Sequence, residues 1–590
     1  MKRRGATSKK RDKKGSDQLP PLNSPPSELL QTLLTHYQSA HYDAAEALAA
    51  TISQQYPKHP FAWKVLGALL LSDGRIHEAL VPSQRTVQLS PLDPDAHLNM
   101  AAVLRSLEEF NEAEKCCREA IRLDPSRTLA LYNLGVILRD LNRPLEALEI
   151  FERAISLEPD HESTLLNLSA LLISLGRFAE GEMRSNQLVA LRPNNGRAHQ
   201  NRSTCLRGLG RLDEAVEGYS RAIQFMPDDA GVRCDLGKVL HMMGRLTEAE
   251  TMCRQAIQLE PSHAEAHLVL ANVSQNLGKL AEADIAYAEA ARLKPDMLEL
   301  SSSLLEFVTI ADLDTTVSHP IVDVDLEINN ISFSIPEFGE IKDDSVLRLL
   351  AKVSAVISAN TAASVTDCSQ VFRRNSVDLD CERHLTVFAE SQVIPEYCFG
   401  CYKVQVQVES VLDLIKLYLL FDRVQLGFNN LRKCMIELRQ DFAGFYKGFI
   451  YCSGFDEAEE IAKKIRPVSL AGVAKEVSIT TKRGCSEYGL VFPEYGKLPH
   501  NGQQIMQYPT AWRSVESKHD AKTPDRLIRK SGSSVSGLHL QDILTIHNWV
   551  SYAKGLGDDS AAAIEQGELF SRTFFDYGKT RKELFPFGLR

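Results

Sequence analysis

From residue 26 to residue 297 the large apolar side chains recur three and four positions apart, the spacing that puts them on one face of a helix, and the whole pattern returns every 34 residues. Pro57, Pro91, Pro125, Pro159, Pro193, Pro227, Pro261 and Pro295 keep that period without insertion or deletion. Twelve residues before each proline stands a small residue: Ala45, Ala79, Ala113, Ala147, Gly181, Ala215, Ala249 and Ala283. A second small position lies 24 residues before the proline, at Gly67, Ala101, Gly135, Ser169, Ser203, Gly237 and Ala271. Helices cross closely only where the contact positions carry almost no side chain, so these two rows mark the crossings of helical hairpins. Larger residues fill the remainder, such as Trp63, Leu66 and Leu70 in one repeat and Leu134, Leu138, Phe151 and Ala154 in another. The proline ends the second helix and sets the entry to the next hairpin. Eight hairpins are therefore predicted over residues 26–297, stacked as a right-handed α solenoid with a concave groove. Met297 to Phe307 supplies the capping helix that closes the last apolar face, within a cap and linker segment at 298–312.

This spacing resembles that of the tetratricopeptide repeat (TPR), and the resemblance implies a surface that holds another polypeptide. One groove position repeats informatively: Asn99, Asn133, Asn167 and Asn201 are 34 residues apart, and Asp235 continues the row. An asparagine amide carries two donors and an acceptor, so a row of them can pair with the main chain of an extended peptide without reading its side chains. The alternative is structural, with the same amides bridging adjacent helices. The row is similar to that in the TPR domain of O-linked N-acetylglucosamine transferases, and the segment from His59 to Leu71 is similar to the opening of bacterial TPR proteins fused to sulfotransferases. After residue 300 there is no glycosyltransferase segment and no Gly-rich phosphate loop, so neither activity is carried over.

Past the cap the 34-residue period vanishes, and strand-like alternation is read from Ile321 to Ser334 in an α+β domain assigned to 313–515. Its clearest part, the core at 401–485, reads as a strand from Cys401 to Val408, a helix from Ser410 to Phe421, strands from Leu431 to Leu438 and Tyr446 to Cys452, a helix from Asp456 to Ile465 and a strand from Glu476 to Lys482. Strand-helix-strand-strand-helix-strand is the split βαβ, or ferredoxin-like, arrangement. Residues 315–515 also resemble a C-terminal region of bacterial TPR proteins, in the stretches Phe372 to Arg383, Pro395 to Val404, Arg432 to Arg439 and Lys482 to Glu487. That resemblance implies no activity.

Seven of the twelve cysteines lie between Cys368 and Cys485. In a ferredoxin-like sheet Cys398, Cys401, Cys434, Cys452 and Cys485 would gather at one edge, with Cys381 and His384 just upstream. Cys398, Cys401, Cys452 and Cys485 are the candidate ligands of a zinc ion or an iron–sulfur cluster. Strand alternation supports a different reading, in which some of these thiols are small core residues, and a redox or nucleophilic cysteine is the third. The same edge is basic, through Arg432, Lys433, Lys482 and Arg483, with Arg373 and Arg374 near in sequence. Cations beside a thiol lower its pKa and attract anions, whereas solvated surface charge is the plain alternative. Finally, Lys447, Gly448, Phe449, Ile450 and Tyr451, followed by a helix with Ala458, resemble the third strand of RNA recognition motifs, whose aromatics stack on bases. Gly454 stands where a third aromatic is needed, and Lys403 and Gln405 occupy the strand-1 positions. The nucleic-acid candidates are thus Lys447, Phe449 and Tyr451.

Composition narrows the choice. The net charge of −10 gives the whole chain no electrostatic reason to seek nucleic acid or an anionic membrane. No apolar run is long enough to span a bilayer and no signal-peptide h-region is present, so a cytoplasmic protein with reduced thiols is expected. Residues 1–25 carry eight lysines and arginines ahead of a Pro/Ser-rich stretch and read as a disordered tail. Ser531 to Gly537 reads as a flexible link, and Leu538 to Tyr552 as a helix in a C-terminal extension spanning 516–590. The sequence points to a non-enzymatic adaptor that binds an extended peptide in its groove. A TPR-recruited enzyme using thiols or a metal is the first alternative, and RNA binding by the split βαβ sheet the second.

Overall fold

The computed structural model describes residues 24–310, 315–331, 339–359, 370–373, 381–426, 430–437, 444–485, 488–499, 504–521 and 538–565. The basic tail and the Ser531 to Gly537 link lie outside the described residues, as does Arg374. The chain divides into two compact units, one up to Gly210 and one from Arg211 onward. Among the described residues no helix is long and apolar enough to cross a membrane.

The described residues of the first unit form helices joined by short turns: α1 (Ser27–Gln38), α2 (Tyr42–Gln55), α3 (Pro60–Ser72), α4 (Ile76–Leu89), α5 (Pro94–Ser106), α6 (Phe110–Leu123), α7 (Thr128–Asp140), α8 (Pro144–Leu157), α9 (Glu162–Ser174), α10 (Phe178–Leu191) and α11 (Gly196–Gly208). Consecutive helices pack as antiparallel hairpins, and α3, α5, α7, α9 and α11 also touch one another in series as an inner row. The small positions act as expected. A Cβ on Gly135 would lie 2.5 Å from the ring of Phe151, and one on Gly181 would lie 2.8 Å from Cys205 Sγ. Gly135 thus sets a bare backbone against α8 within its own hairpin, and Gly181 of α10 does the same against α11 of the next.

Two further regularities run through the repeats. The residue opening each turn between paired helices is left-handed, with φ between 57° and 77° at Ala40, Gly74, Glu108, Asn142, Gly176, Gly210, Gly244 and Gly278. Only glycine, and to a lesser degree asparagine, adopts that conformation at low cost. Glu108→Gly is accordingly expected to stabilise the repeats by about 1 kcal/mol, read as a higher urea midpoint at unchanged m; an unchanged or lower midpoint would contradict it. The second regularity is a bond back to the repeat-ending proline. Trp63 Nε1 donates to the Pro57 carbonyl at 3.0 Å, and the Nε2 atoms of His97, His199 and His267 bond those of Pro91, Pro193 and Pro261 at 2.8, 2.8 and 3.0 Å.

The second unit begins with α12 (Leu212–Phe225), α13 (Ala230–Met242), α14 (Leu246–Leu259), α15 (Ala264–Asn276) and α16 (Leu280–Leu293), closed by α17 (Leu298–Ile310). Phe307 of that cap packs on buried Tyr287 with ring centroids 4.8 Å apart. The strand expected from Ile321 is instead helix α18 (Pro320–Asn329); residues 332–334 lie outside the described residues. Its apolar residues alternate along the sequence, but Pro320 starts a helix and His319 Nδ1 caps it through the Ile321 N–H. Burial at Ile321, Val324 and Ile328 then follows helical spacing, while Leu326 is exposed.

After α19 (Asp343–Ala359) come β1 (Gln370–Arg373), α20 (Cys381–Ser391), α21 (Glu396–Gly400), β2 (Tyr402–Val408), α22 (Val411–Arg423), β3 (Arg432–Ile436), β4 (Tyr446–Cys452), α23 (Phe455–Gly472) and β5 (Ser478–Arg483). The sheet is antiparallel, in the order β1-β3-β4-β2-β5. Strands β2 to β5 with α22 and α23 have the predicted ferredoxin-like order, and β1 extends it at the β3 edge. A Cβ on Gly448 would lie 2.7 Å from Leu417 and 2.8 Å from Phe421, so glycine lets α22 settle on the middle of β4.

The last described elements are α24 (Tyr488–Val491), α25 (Ala511–Asp520), α26 (Leu540–Leu556) and α27 (Asp559–Glu565). Helix α26 packs on α17, α18 and α22. Its His539 cap bonds Asp325 at 2.9 Å, and the other Asp325 oxygen accepts the Leu540 N–H at 2.7 Å. Asp558 accepts both the Val411 N–H at 2.7 Å, at the start of α22, and the Tyr446 hydroxyl at 2.6 Å.

Candidate functional site

In the first unit the candidate site is the inner row of helices. Asn99, Asn133, Asn167 and Asn201 lie on α5, α7, α9 and α11 and are all half-buried. Their pairing divides them. Asn201 Nδ2 donates to Ser169 Oγ at 2.8 Å and to the Leu166 carbonyl at 3.3 Å, both on the preceding inner helix. Asn167 accepts from Arg139 at 2.9 Å and donates to the Ser163 carbonyl at 2.9 Å. Asn99 and Asn133 make no side-chain hydrogen bond among the described residues. Asp235, in the second unit, lies 3.4 Å from Lys238.

Between α9 and α11 the inner face opens into a concavity of about 380 Å³, lined by Leu166, Asn167, Ala170, Ile173, Arg197, Gln200, Asn201 and Thr204. Apolar floor and amide rim are mixed, the composition that a main chain with small side chains can occupy. Nearby, Arg105 and Arg139 converge on Asp140 at 2.7 and 3.2 Å, one carboxylate between two guanidinium groups.

In the second unit the cysteines separate. Cys434 pairs with Gly448 in mid-strand, whereas Cys452 pairs with Tyr402 at the strand end, so Cys434 stands apart from the edge. Cys452 is buried, its Sγ 3.6 Å from the Ile450 carbonyl, and burial pushes its thiol well above the usual range. Cys401 packs against Gly484, on which a Cβ would lie 2.5 Å from its Sγ. Cys398 and Cys485 come together in a cluster with Tyr488 and Tyr495. Among the described residues no three His, Cys, Asp or Glu side chains are grouped to hold a metal ion. His384 is buried and stacks on Tyr397, centroids 5.7 Å apart.

The basic edge is only partly a solvated one. Arg432 and Arg483 are buried, Arg432 donating to the Phe421 carbonyl, while Lys433 is half-buried and Lys482 exposed. On the sheet face considered for RNA, Lys447 is 2% and Phe449 7% exposed, and Tyr451 is half-buried. Lys403 sits 5.2 Å from the Phe449 ring centroid. Bases could stack on Phe449 only after that ring was uncovered.

Profiles described as tetratricopeptide repeat match residues 93–158, 138–203 and 234–297, and one described as TPR repeat matches 206–244. No curated protein matches the chain. Among solved structures, YrrB, described as a TPR protein with an unusual peptide-binding site, is 23% identical over 31% of this chain and 95% of its own, with TM-score 0.28. MamA of Desulfovibrio magneticus RS-1 is 19% identical over 29% and 96%, with TM-score 0.28. The Cut9–Hcn1 hetero-tetramer of the APC/C is 15% identical over 48% and 55%, with TM-score 0.38. With the hairpins, their small crossing residues and these profile matches in place, the chain is a tetratricopeptide-repeat protein.

Proposed function

We propose that the inner face of the first unit holds an extended segment of a partner protein, and that Asn99 and Asn133 grip its main chain. TPR folds serve as protein-interaction scaffolds in general; the finer reading rests on one observation, the unequal pairing of the asparagine row. Asn167 and Asn201 tie neighbouring helices together, while Asn99 and Asn133 keep their full donor and acceptor capacity at half-buried positions on the inner row of helices. Half-buried amides that form no internal bond are worth most when a ligand completes them. The concavity beside Asn167 and Asn201 then receives side chains of the same segment.

The experiment compares variants of the full chain against a fluorescent peptide taken from a captured partner. Asn99→Ala combined with Asn133→Ala is expected to weaken binding roughly 10- to 100-fold, the loss of two to four main-chain hydrogen bonds. The melting profile should be unchanged. Asn201→Ala should instead cost about 1 kcal/mol of stability, because Ser169 Oγ and the Leu166 carbonyl lose their donor. Unaltered affinity in the double variant would remove the main-chain grip from consideration.

A further inference from the structure

Away from the repeats, the second unit brings two distant thiols together. Cys398 in α21 is 3% exposed, and Cys485, two residues past β5, is half-buried. Both pack with Ile394, Phe399, Tyr488 and Tyr495, and the Gly484 N–H donates to the Cys401 carbonyl at 2.9 Å, which pins the two segments side by side. The Cys398 thiol is within hydrogen-bond reach of Cys485; that bond, together with burial, holds Cys398 protonated far above the usual thiol range.

The charge beside them is unusual. Arg483 is 4% exposed, donates from Nη1 to the Phe399 carbonyl at 2.7 Å and from Nε to the Tyr495 carbonyl at 2.9 Å, and lies 4.4 Å from the Tyr402 ring centroid. Among the described residues no carboxylate pairs with it, and its Nη2 has no hydrogen-bond partner. A buried cation without a counter-ion is costly. A thiolate at Cys485, two residues along the same segment, would supply the missing negative charge, and the cation would favour that thiolate in return.

We propose that Cys485 and Cys398 are a reversible dithiol site whose substrate is a hydroperoxide. The Cys485 thiolate attacks one peroxide oxygen; the S–O bond forms as the O–O bond breaks, and the departing alkoxide or hydroxide takes up a proton. The resulting sulfenic acid is then attacked by Cys398, which gives up its proton. The S–S bond forms as the S–O bond breaks, and hydroxide leaves as water with that proton. Two thiols are oxidised by two electrons, and the peroxide is reduced to an alcohol, or water, plus water. A small-molecule dithiol restores the pair by exchange. The half-buried member meets the oxidant and the buried member resolves it, which matches their exposures.

The test uses the full chain and hydrogen peroxide at near-stoichiometric amounts, followed by alkylation, non-reducing digestion and peptide mass mapping. The expected product is one Cys398–Cys485 cross-linked peptide that disappears on adding dithiothreitol. Half-buried Cys116, whose thiol burial pushes up, is an internal comparison and should react about tenfold more slowly than Cys485. Cys398→Ser should leave a sulfenic acid on Cys485 that a 1,3-dione labels. Cys116 reacting first, a cross-link between any other pair, or over-oxidation of Cys485 without a disulfide would each overturn the assignment, and the mapping on the unaltered chain does not depend on any variant folding.

Discussion

Replacing Trp549 by alanine is expected to destabilise the second unit by about 3–5 kcal/mol. The indole is 1% exposed on α26 and meets Tyr418 of α22 edge-on, with centroids 6.3 Å apart and planes at 78°. Helix α22 in turn lies against β3 and β4. Removing the ring leaves a cavity between the C-terminal helix and the helix that covers the sheet, so the loss should reach the strands. Hydrogen exchange of the β2 and β4 amides reads it directly: at constant pH their protection should fall by roughly 100-fold or more, the equivalent of the free energy above. A change below tenfold would mean that α26 is a peripheral attachment rather than part of this core.

In the first unit the largest effect is expected from Gly135→Val. The substitution forces a Cβ to within 2.5 Å of the fully buried Phe151 ring and adds two methyl groups to a crossing that has no room for one. Overpacking of this kind costs about 3 kcal/mol. Alanine would be milder, because its better helix propensity offsets about 1 kcal/mol of the strain. Thermal melting followed by the helical signal gives the measurement, and Phe151→Leu in the same chain should restore part of the loss. If the second substitution restores nothing, the cost arises from the backbone of α7 and not from the ring.

The repeats were legible in sequence because periodicity is redundant: eight prolines and two rows of small residues report the same hairpin, and each contact they specify is between neighbours. The left-handed turn position is not legible in sequence, since Ala40, Glu108 and Asn142 interrupt its glycines. In the second unit the order of strands and helices was readable, but ends were not. Helix α23 runs on to Gly472, past the Ile465 expected, and carries Pro467 within it. Strand β1 is four residues long, too short for alternation to declare itself. Helix α18 has the alternation of a strand in its apolar residues, and only the His319–Pro320 start signals otherwise.

Candidate sites were legible as positions rather than as states. The asparagine row could be counted, yet whether an amide is already bonded depends on Arg139 or Ser169, residues that do not follow the same period around every repeat. Arg432 and Arg483 read as surface charge, because nothing local in sequence says that a strand-end arginine will be enclosed by carbonyls and rings. The meeting of Cys398 and Cys485 likewise depends on topology, since helix and strand pairings between them decide which ends coincide.

The docking of the C-terminal helix has a consequence for biosynthesis. Asp325 waits 214 positions for His539, and the first turn of α22 waits 147 for Asp558. Hairpin repeats can stack one after another as the chain emerges, each satisfied by its predecessor. Asp325 and the first turn of α22 stay without these partners until the segment beyond position 538 has emerged, and a nascent chain halted before position 539 would carry a carboxylate with no partner for the niche it is meant to fill.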